Sequence, residues 1–455
     1  MTVPSPMNLV YLHSHDTGRH VQPYGYGVST PNMQRLAGDG VLFRQAFNAA
    51  PTCSPSRAAL LTGQSPHNAG MIGLAHRGFG LKDPSQHIAH TLHHHGYTTT
   101  LAGVQHVTTD DPKTLGYDMV ISPEDKSVAS VGPVAAQHIQ ELGAQQGGKP
   151  FFVDVGFFEA HRPFPPAGLP ESRYVRPPAP IPDTPETRLD TASFYSSVRE
   201  FDRGVGIVLD ALESAGLTGS TLVICPTAHG APFPAMKSNL TDHGTGVLLI
   251  MRGPGRFIGG RVVDALVSHI DLFPTICELT GIPQPSWLQG KSMMPLINGE
   301  QTEIREAVFG EVTFHAAYDP QRSVRTQRWT YIRRFGDRET PVLPNIDGGE
   351  SRDFWLQHGW EHRRIEPEQL YDNLLDPTQS RNLIADPEFS AVRAELTERL
   401  AQWMRQTDDP LLEGEVRLPP GALINDASSR SADEELLQAD ADGNLTRTPN
   451  LGINA

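Results

Sequence analysis

Pro51-Thr52-Cys53-Ser54-Pro55-Ser56-Arg57-Ala58-Ala59-Leu60-Leu61-Thr62-Gly63 is the stretch around which the rest of this chain is organised. Ser54 is a good N-cap, Pro55 suits a first helical position, and Ser56 to Leu61 continues as an ordinary helix. The spacing therefore predicts a helix that opens just after Cys53. Unpaired backbone N–H groups and the positive end of the helix dipole make that place favourable for an anion or a thiolate. Arg57, one turn along, adds a planar donor fork suited to a tetrahedral oxyanion. The plain alternative is a buried cysteine that packs a helix start.

Working outward, four short apolar runs end in polar residues. Asn8 to His13 leads into Ser14-His15-Asp16-Thr17-Gly18, and Thr98 to Ala102 into Gly103-Val104-Gln105-His106. Phe151 to Phe157 leads to Glu159-Ala160-His161-Arg162-Pro163, and Thr221 to Cys225 to Pro226-Thr227-Ala228-His229-Gly230. Runs of this kind read as buried parallel strands, and open α/β sheets bind ligands at the carboxyl ends of such strands. Helices are expected after Thr30-Pro31 as far as Gly40, from Val134 to Leu142 with Pro133 starting it, from Thr187 to Ala215 and from Asp271 to Leu279. Gly246 to Met251 adds a strand. The alternation predicts a doubly wound α/β unit with a central, mostly parallel sheet.

From about Ile304 the pattern changes. Ala307 to Val312, Val324 to Arg333 and Gln369 to Asp372 read as antiparallel strands. Phe389 to Gln406 reads as an amphipathic helix with Val392, Leu396, Leu400 and Trp403 on one face. Residues 411–455 are polar, lack aromatics and read as an extended arm or a disordered tail; Asp440-Ala441-Asp442-Gly443-Asn444 within them is tail composition and not a calcium loop. His87, His90, His93, His94 and His95 read as a helix with solvated histidines, since residues 93–95 cannot face one point.

Cys-x-Pro-Ser-Arg followed by Leu61-Thr62-Gly63 resembles the sulfatase signature, and the order of elements over most of residues 8–410 resembles that family too. Through Gly70-Met71-Ile72-Gly73-Leu74 it is most similar to the branch containing the heparan N-sulfatases (sulfamidases). The resemblance implies an alkaline-phosphatase-like α/β sandwich plus a smaller C-terminal antiparallel α+β part: a catalytic unit at 1–303, a sheet-and-helix unit at 304–410 and the tail at 411–455. It further implies that Cys53 is oxidised to formylglycine by a formylglycine-generating enzyme. The aldehyde hydrate would then take sulfur from a sulfate ester, a sulfamate or a related phosphoester. Arg57, His106, His161 and Lys237 match positions that orient the nucleophile, bind sulfate or protonate the leaving group, and Arg162 and His243 are further candidates for substrate contact.

The metal positions depart from the family. Where sulfatases place two aspartates and then Asp-Asn or Asp-His, this chain has His15, Asp16, Ala228 and His229. A set of His15, Asp16, His229 and Cys53 suits zinc, manganese, iron or copper better than calcium. Val104 stands where the family has lysine, and Gln105 cannot supply that charge. Three readings stay open: a formylglycine hydrolase with a rebuilt metal site, a relative that keeps Cys53 as a thiolate for other chemistry, and a non-catalytic binding protein.

Bulk properties narrow the partners. The 455 residues can bury a large core, and a formal charge of −15 argues against nucleic acid and a membrane surface while allowing an anionic substrate in a locally basic cleft. Three cysteines are too few for a disulfide framework. Met1 to Pro6 lacks the basic start and apolar run of a signal peptide, and no long apolar span follows, so a cytosolic protein is expected.

Overall fold

The computed structural model describes residues 7–145, 148–450 and 452. The first eight strands are β1 (Asn8–His13), β2 (Val41–Phe47), β3 (Thr98–Gly103), β4 (Met119–Ile121), β5 (Phe151–Gly156), β6 (Thr221–Pro226), β7 (Leu249–Arg252) and β8 (Arg261–Ser268). They form one sheet in the order β4-β3-β5-β1-β6-β7-β2-β8. All neighbours are parallel except β7, which runs against both β6 and β2. The four apolar runs read from sequence thus share one sheet, and β1, β5 and β3 lie side by side in register. Two apolar clusters, one containing Phe43, Phe152 and Phe273 and the other Phe157, Phe194 and Phe201, are built on it.

The strand ends crowd closely. A Cβ on Gly156 would lie 1.9 Å from the Val104 carbonyl oxygen and 2.6 Å from the His13 ring, so only glycine lets β5, β3 and β1 finish together. The helix expected from Val134 begins earlier, at Val128, and carries Pro133 inside it. Its start is set by tertiary contact, because the Glu159 carboxylate accepts the Val128 N–H at 3.0 and 3.2 Å.

Four further strands, β9 (Val308–Phe314), β10 (Tyr318–Arg325), β11 (Trp329–Arg334) and β12 (Glu368–Asp372), make an antiparallel sheet. The stretch read as one strand from Val324 to Arg333 is the turn of a hairpin, with Val324 paired to Tyr331. The helix Ser390–Gln406 buries Leu396, Leu400 and Met404 against this sheet.

The tail is not a disordered arm over its described part. β13 (Leu423–Asn425), β14 (Leu436–Ala439) and β15 (Leu445–Thr448) form a third, antiparallel sheet, and Ala422, Ile424, Leu436 and Ala439 are buried. Asp440 accepts from the backbone of Asp442 and Asn444 in the turn between the last two strands. Cys53, Cys225 and Cys277 are all buried and unbridged. Among the described residues no helix is long and apolar enough to cross a membrane.

Candidate active site

Cys53 is the first residue of its helix, which runs to Thr62 and ends at Gly63 in the left-handed conformation, φ 69°. The helix starts two residues before the expected position because Ser54 is not its cap. Its hydroxyl instead accepts the Ala75 N–H at 3.0 Å. Ser56 donates to the Ala228 carbonyl at 2.5 Å and so fixes the helix against the end of β6.

Below Cys53 lies a buried polar chain. Arg57 Nη1 is 2.6 Å from His13 Nδ1, and Nη2 donates to the Ser14 carbonyl at 3.1 Å. A guanidinium only donates, so His13 accepts at Nδ1 and donates from Nε2 to Asp154 at 2.9 Å. Tyr117 donates to the other Asp154 oxygen at 2.5 Å. Arg57 is therefore not a fork opened towards substrate, as expected; it holds the end of β1 and sets a fixed positive charge under residue 53. Asp154 escaped the sequence reading, and its one signal was a lone carboxylate in an apolar strand. Asp154→Ala strands His13, Tyr117 and Arg57 together. We expect a loss of about 3 kcal/mol in denaturant unfolding and a fall in turnover, and unchanged values of both would show the chain to be passive.

Above Cys53 the donors converge without partners. His229 donates from Nδ1 to the Gly230 carbonyl at 2.9 Å, so its Nε2 lone pair faces Asp16 Oδ1 at 3.3 Å and Cys53 Sγ at 3.2 Å. Burial pushes His229 down to about 4, so the ring is neutral. A lone pair opposite a carboxylate oxygen is unfavourable unless a cation lies between them. His161 repeats the arrangement, with Nδ1 2.7 Å from the Arg162 carbonyl and Nε2 3.9 Å from Asp16 Oδ2. Both ring nitrogens of buried His15, Asp16 Oδ1 and His106 Nδ1 have no hydrogen-bond partner. Ligand atoms of His15, Cys53 and His106 lie within 4.8 Å of one another, as do those of Asp16, Cys53 and His161. The residues fit a divalent cation. The other three sequence-predicted ligands, His15, Asp16 and His229, gather at Cys53, and His106 and His161 join them.

Lys237 donates to Asp16 at 3.1 Å and to Asp347 at 2.9 Å. Burial opposes its charge, but the two carboxylates hold the ammonium well above its usual range. Ala235 and Ser238 flank it in left-handed backbone, φ 58° and 62°, and Ser238 donates to the Pro51 carbonyl at 2.8 Å. His106 is also left-handed, φ 58°. Non-glycine residues in this region cluster where function demands a set geometry. Burial pushes the Cys53 thiol up to about 12, with Lys237 acting in the other direction.

These groups open on a cavity of about 740 Å³ lined by Cys53, His106, His161, Lys237 and Asp347 among others. A second cavity of about 1040 Å³ adjoins it and shares His76, His106 and His161. Val104 lines this second space, and Gln105 is turned back onto its own loop, accepting from Val107 and Thr108. Sequence reasoning missed Asp347, His315 and His76, whose Nδ1 lies 3.0 Å from His106 Nε2 with the rings nearly parallel.

Two expected substrate contacts are corrected. Arg162 lines the cavity, but its guanidinium is paired with both Asp190 oxygens at 2.8 and 2.9 Å. His243 lies outside this cavity's lining, 3.0 Å from the Thr378 carbonyl, on the helix whose Asp242 is held by Arg19 and Arg325. The tract after Gln86 is as solvated as expected at His93, His94 and His95, while His90 is half-buried and His87 is buried as a helix cap.

The sulfatase family model matches residues 7–282, and a model described as N-sulphoglucosamine sulphohydrolase, C-terminal, matches residues 237–347. The human N-sulphoglucosamine sulphohydrolase is 30% identical, with 92% of this chain and 93% of the relative covered. An ulvan-active sulfatase from Formosa agariphila is 27% identical, covering 90% and 82%. A 2-O GAG sulfatase of known structure superposes with a TM-score of 0.70 at 22% identity, covering 91% of this chain and 95% of that one. A protein solved with its substrate D-glucosamine-2-N,6-O-disulfate gives a TM-score of 0.71 at 17% identity, covering 89% and 98%.

Proposed function

This chain belongs to the sulfatase family, and on that premise we propose that it hydrolyses a sulfate ester or sulfamate on an anionic sugar, with residue 53 as formylglycine beside one divalent transition metal. The observation that carries this reading is the gathering beside Cys53 of the partnerless ring nitrogens of His15 and the partnerless Oδ1 of Asp16, with His229 Nε2 facing both Asp16 and Cys53. Burial keeps Cys53, as translated, a neutral thiol and a poor nucleophile, so attack on sulfur from this position calls for the formylglycine form. The human relative's name places a sulfamate on glucosamine among the first substrates to test.

His15, Asp16, His229 and residue 53 would hold the metal, which when bound supplies positive charge to the sulfonate oxygens. As formylglycine, residue 53 supplies a geminal diol whose hydroxyl attacks sulfur. Lys237, kept charged by Asp16 and Asp347, holds a sulfonate oxygen from the cavity side. His161 faces the same cavity and is the group placed to pass a proton to the leaving oxygen or nitrogen. His106 Nδ1, buried and unpartnered, takes the proton of the second hydroxyl. Arg57 steadies developing negative charge from below through its field.

The test is to co-produce the chain with a formylglycine-generating enzyme, weigh the peptide containing residue 53 and assay sulfate release. N-sulfoglucosamine, glucosamine 6-sulfate and 4-nitrophenyl sulfate serve as substrates. Loss of the sulfur together with sulfate release is the expected result. A retained thiol with no release from any of the three would overturn the reading in favour of Cys53 as an unmodified metal ligand.

A further inference from the structure

We propose that His76 is a positioning residue whose ring fixes the tautomer of His106, so that His106 meets residue 53 with a bare Nδ1 able to take a proton. The inference rests on the hydrolase reading above and adds a residue to its second step.

His76 sits where the backbone is held on both sides. It is the middle residue of a short helical turn, Ala75–Arg77. The Ala75 N–H is held by Ser54 of the Cys53 helix at 3.0 Å. Arg77 donates to the Ala316 carbonyl at 3.1 Å and to Asn425 at 2.9 Å. The His76 ring between these anchors lines both cavities. Its Nδ1 is 3.0 Å from His106 Nε2, with the rings 12° from parallel and their centroids 5.3 Å apart. That spacing is close to the largest that a bond of this length between two imidazoles permits. The rings therefore meet edge to edge, and the hydrogen lies along both in-plane lone-pair directions.

One hydrogen lies between these nitrogens, and its owner decides the rest. Burial holds both rings neutral, pushing His76 down to about 4 and His106 well below its usual range. A neutral imidazole carries hydrogen on one nitrogen only, and the bond made by one nitrogen sets the state of the other. Donation from His76 would force both rings into the Nδ1–H form and bury an N–H at His106 Nδ1, which has no partner. Donation from His106 puts both rings in the Nε2–H form, the commoner one for a free histidine side chain. His106 Nδ1 is then bare, and half-buried His76 keeps its Nε2–H for water or a substrate oxygen in the cavities.

This arrangement serves the collapse of the sulfated intermediate. The remaining hydroxyl of residue 53 gives its proton to His106 Nδ1, and its oxygen closes to the carbonyl. The carbon–oxygen bond to sulfate breaks, and the electron pair leaves on sulfate. The imidazolium so formed still donates from Nε2 to His76, which steadies it until Nδ1 returns the proton to water.

The tautomer is read directly by ¹⁵N NMR of the histidine-labelled protein reconstituted with zinc, with His106 assigned by the signal missing from His106→Gln. Hydrogen on Nε2 and a bare Nδ1 are expected in the unsubstituted protein and in His76→Asn, whose amide oxygen takes the place of the ring Nδ1. His76→Phe, which offers no acceptor, should show the reverse. In turnover His76→Phe should lose at least about tenfold in kcat, and sulfated residue 53 should build up in intact mass, a signature that mere loosening of the site would not produce. His76→Asn should hold kcat within about threefold and raise KM by about as much, having lost only the Nε2–H. Hydrogen or zinc on His106 Nδ1 in the unsubstituted protein, or a His76→Phe protein with unchanged kcat and no sulfated species, would refute the role of His76 and leave the hydrolase reading standing. The expected tautomers with no sulfate release by the unsubstituted protein would keep that role and remove the hydrolase reading.

Discussion

Cys53→Ala should abolish sulfate release, with turnover falling by roughly four orders of magnitude or more, because no other group in the cavity can replace the attacking oxygen. The thermal midpoint should change little by comparison. Residue 53 heads a fully buried helix that is tied down by Ser54 and Ser56, and alanine fills the first turn without a new polar group. Cys53→Ser is the sharper experiment. A serine hydroxyl can accept sulfur once but carries no second hydroxyl to expel it, so intact mass should show a sulfated, inactive protein. Arg57, Lys237 and His161 remain in place to stabilise the transfer, which is why the first step should still proceed. Full activity in either variant would refute a nucleophilic role for residue 53, and a Cys53→Ser protein that stays unsulfated would place the failure in the first step.

What could be read before folding was what lies close together along the chain. His15-Asp16, His106, His161 and His229 each follow directly on a short apolar run. Once those runs are strands of one sheet, their ends must meet, and the sheet order brings β3, β5, β1 and β6 into adjacent places. Cys53 was legible for the same reason, since its helix start is local. Groups that reach the cavity only through tertiary closure left no such mark. Asp347 comes from the long connection between β11 and β12 of the second sheet, and Asp433 from a tail whose polar composition hid five buried apolar residues, Leu411, Ala422, Ile424, Leu436 and Ala439. The β10–β11 hairpin was missed because Thr326-Gln327-Arg328 contains none of the glycine, proline or asparagine that marks a tight turn. The helix at Val128 was read late for a comparable reason. Its cap is Glu159, thirty-one residues away, and Pro133 looked like a start only in the absence of that partner.

Removal of the metal should be nearly as severe as loss of residue 53, and its replacement should distinguish the kind of ion. Around the nucleophile Arg57 and Lys237 are positive, Asp16 and Asp347 are negative, and burial keeps His229 neutral. Of the metal positions carried over from the family, Asp16 alone offers a carboxylate, and buried Ala228 offers no side-chain ligand at all. Calcium takes six to eight oxygens, whereas imidazole nitrogens hold zinc, manganese, iron or copper. The protein purified without added metal should therefore carry close to one transition-metal equivalent by elemental analysis. Chelation should lower turnover by roughly a hundredfold or more, and zinc or manganese, but not calcium, should restore it. His229→Asn should weaken metal retention by roughly ten- to a hundredfold, since an amide oxygen replaces the imidazole that now faces both Asp16 and Cys53. Recovery with calcium alone, combined with a gain on His229→Asn, would show a hard-ion site in which the histidines serve sulfate and not metal.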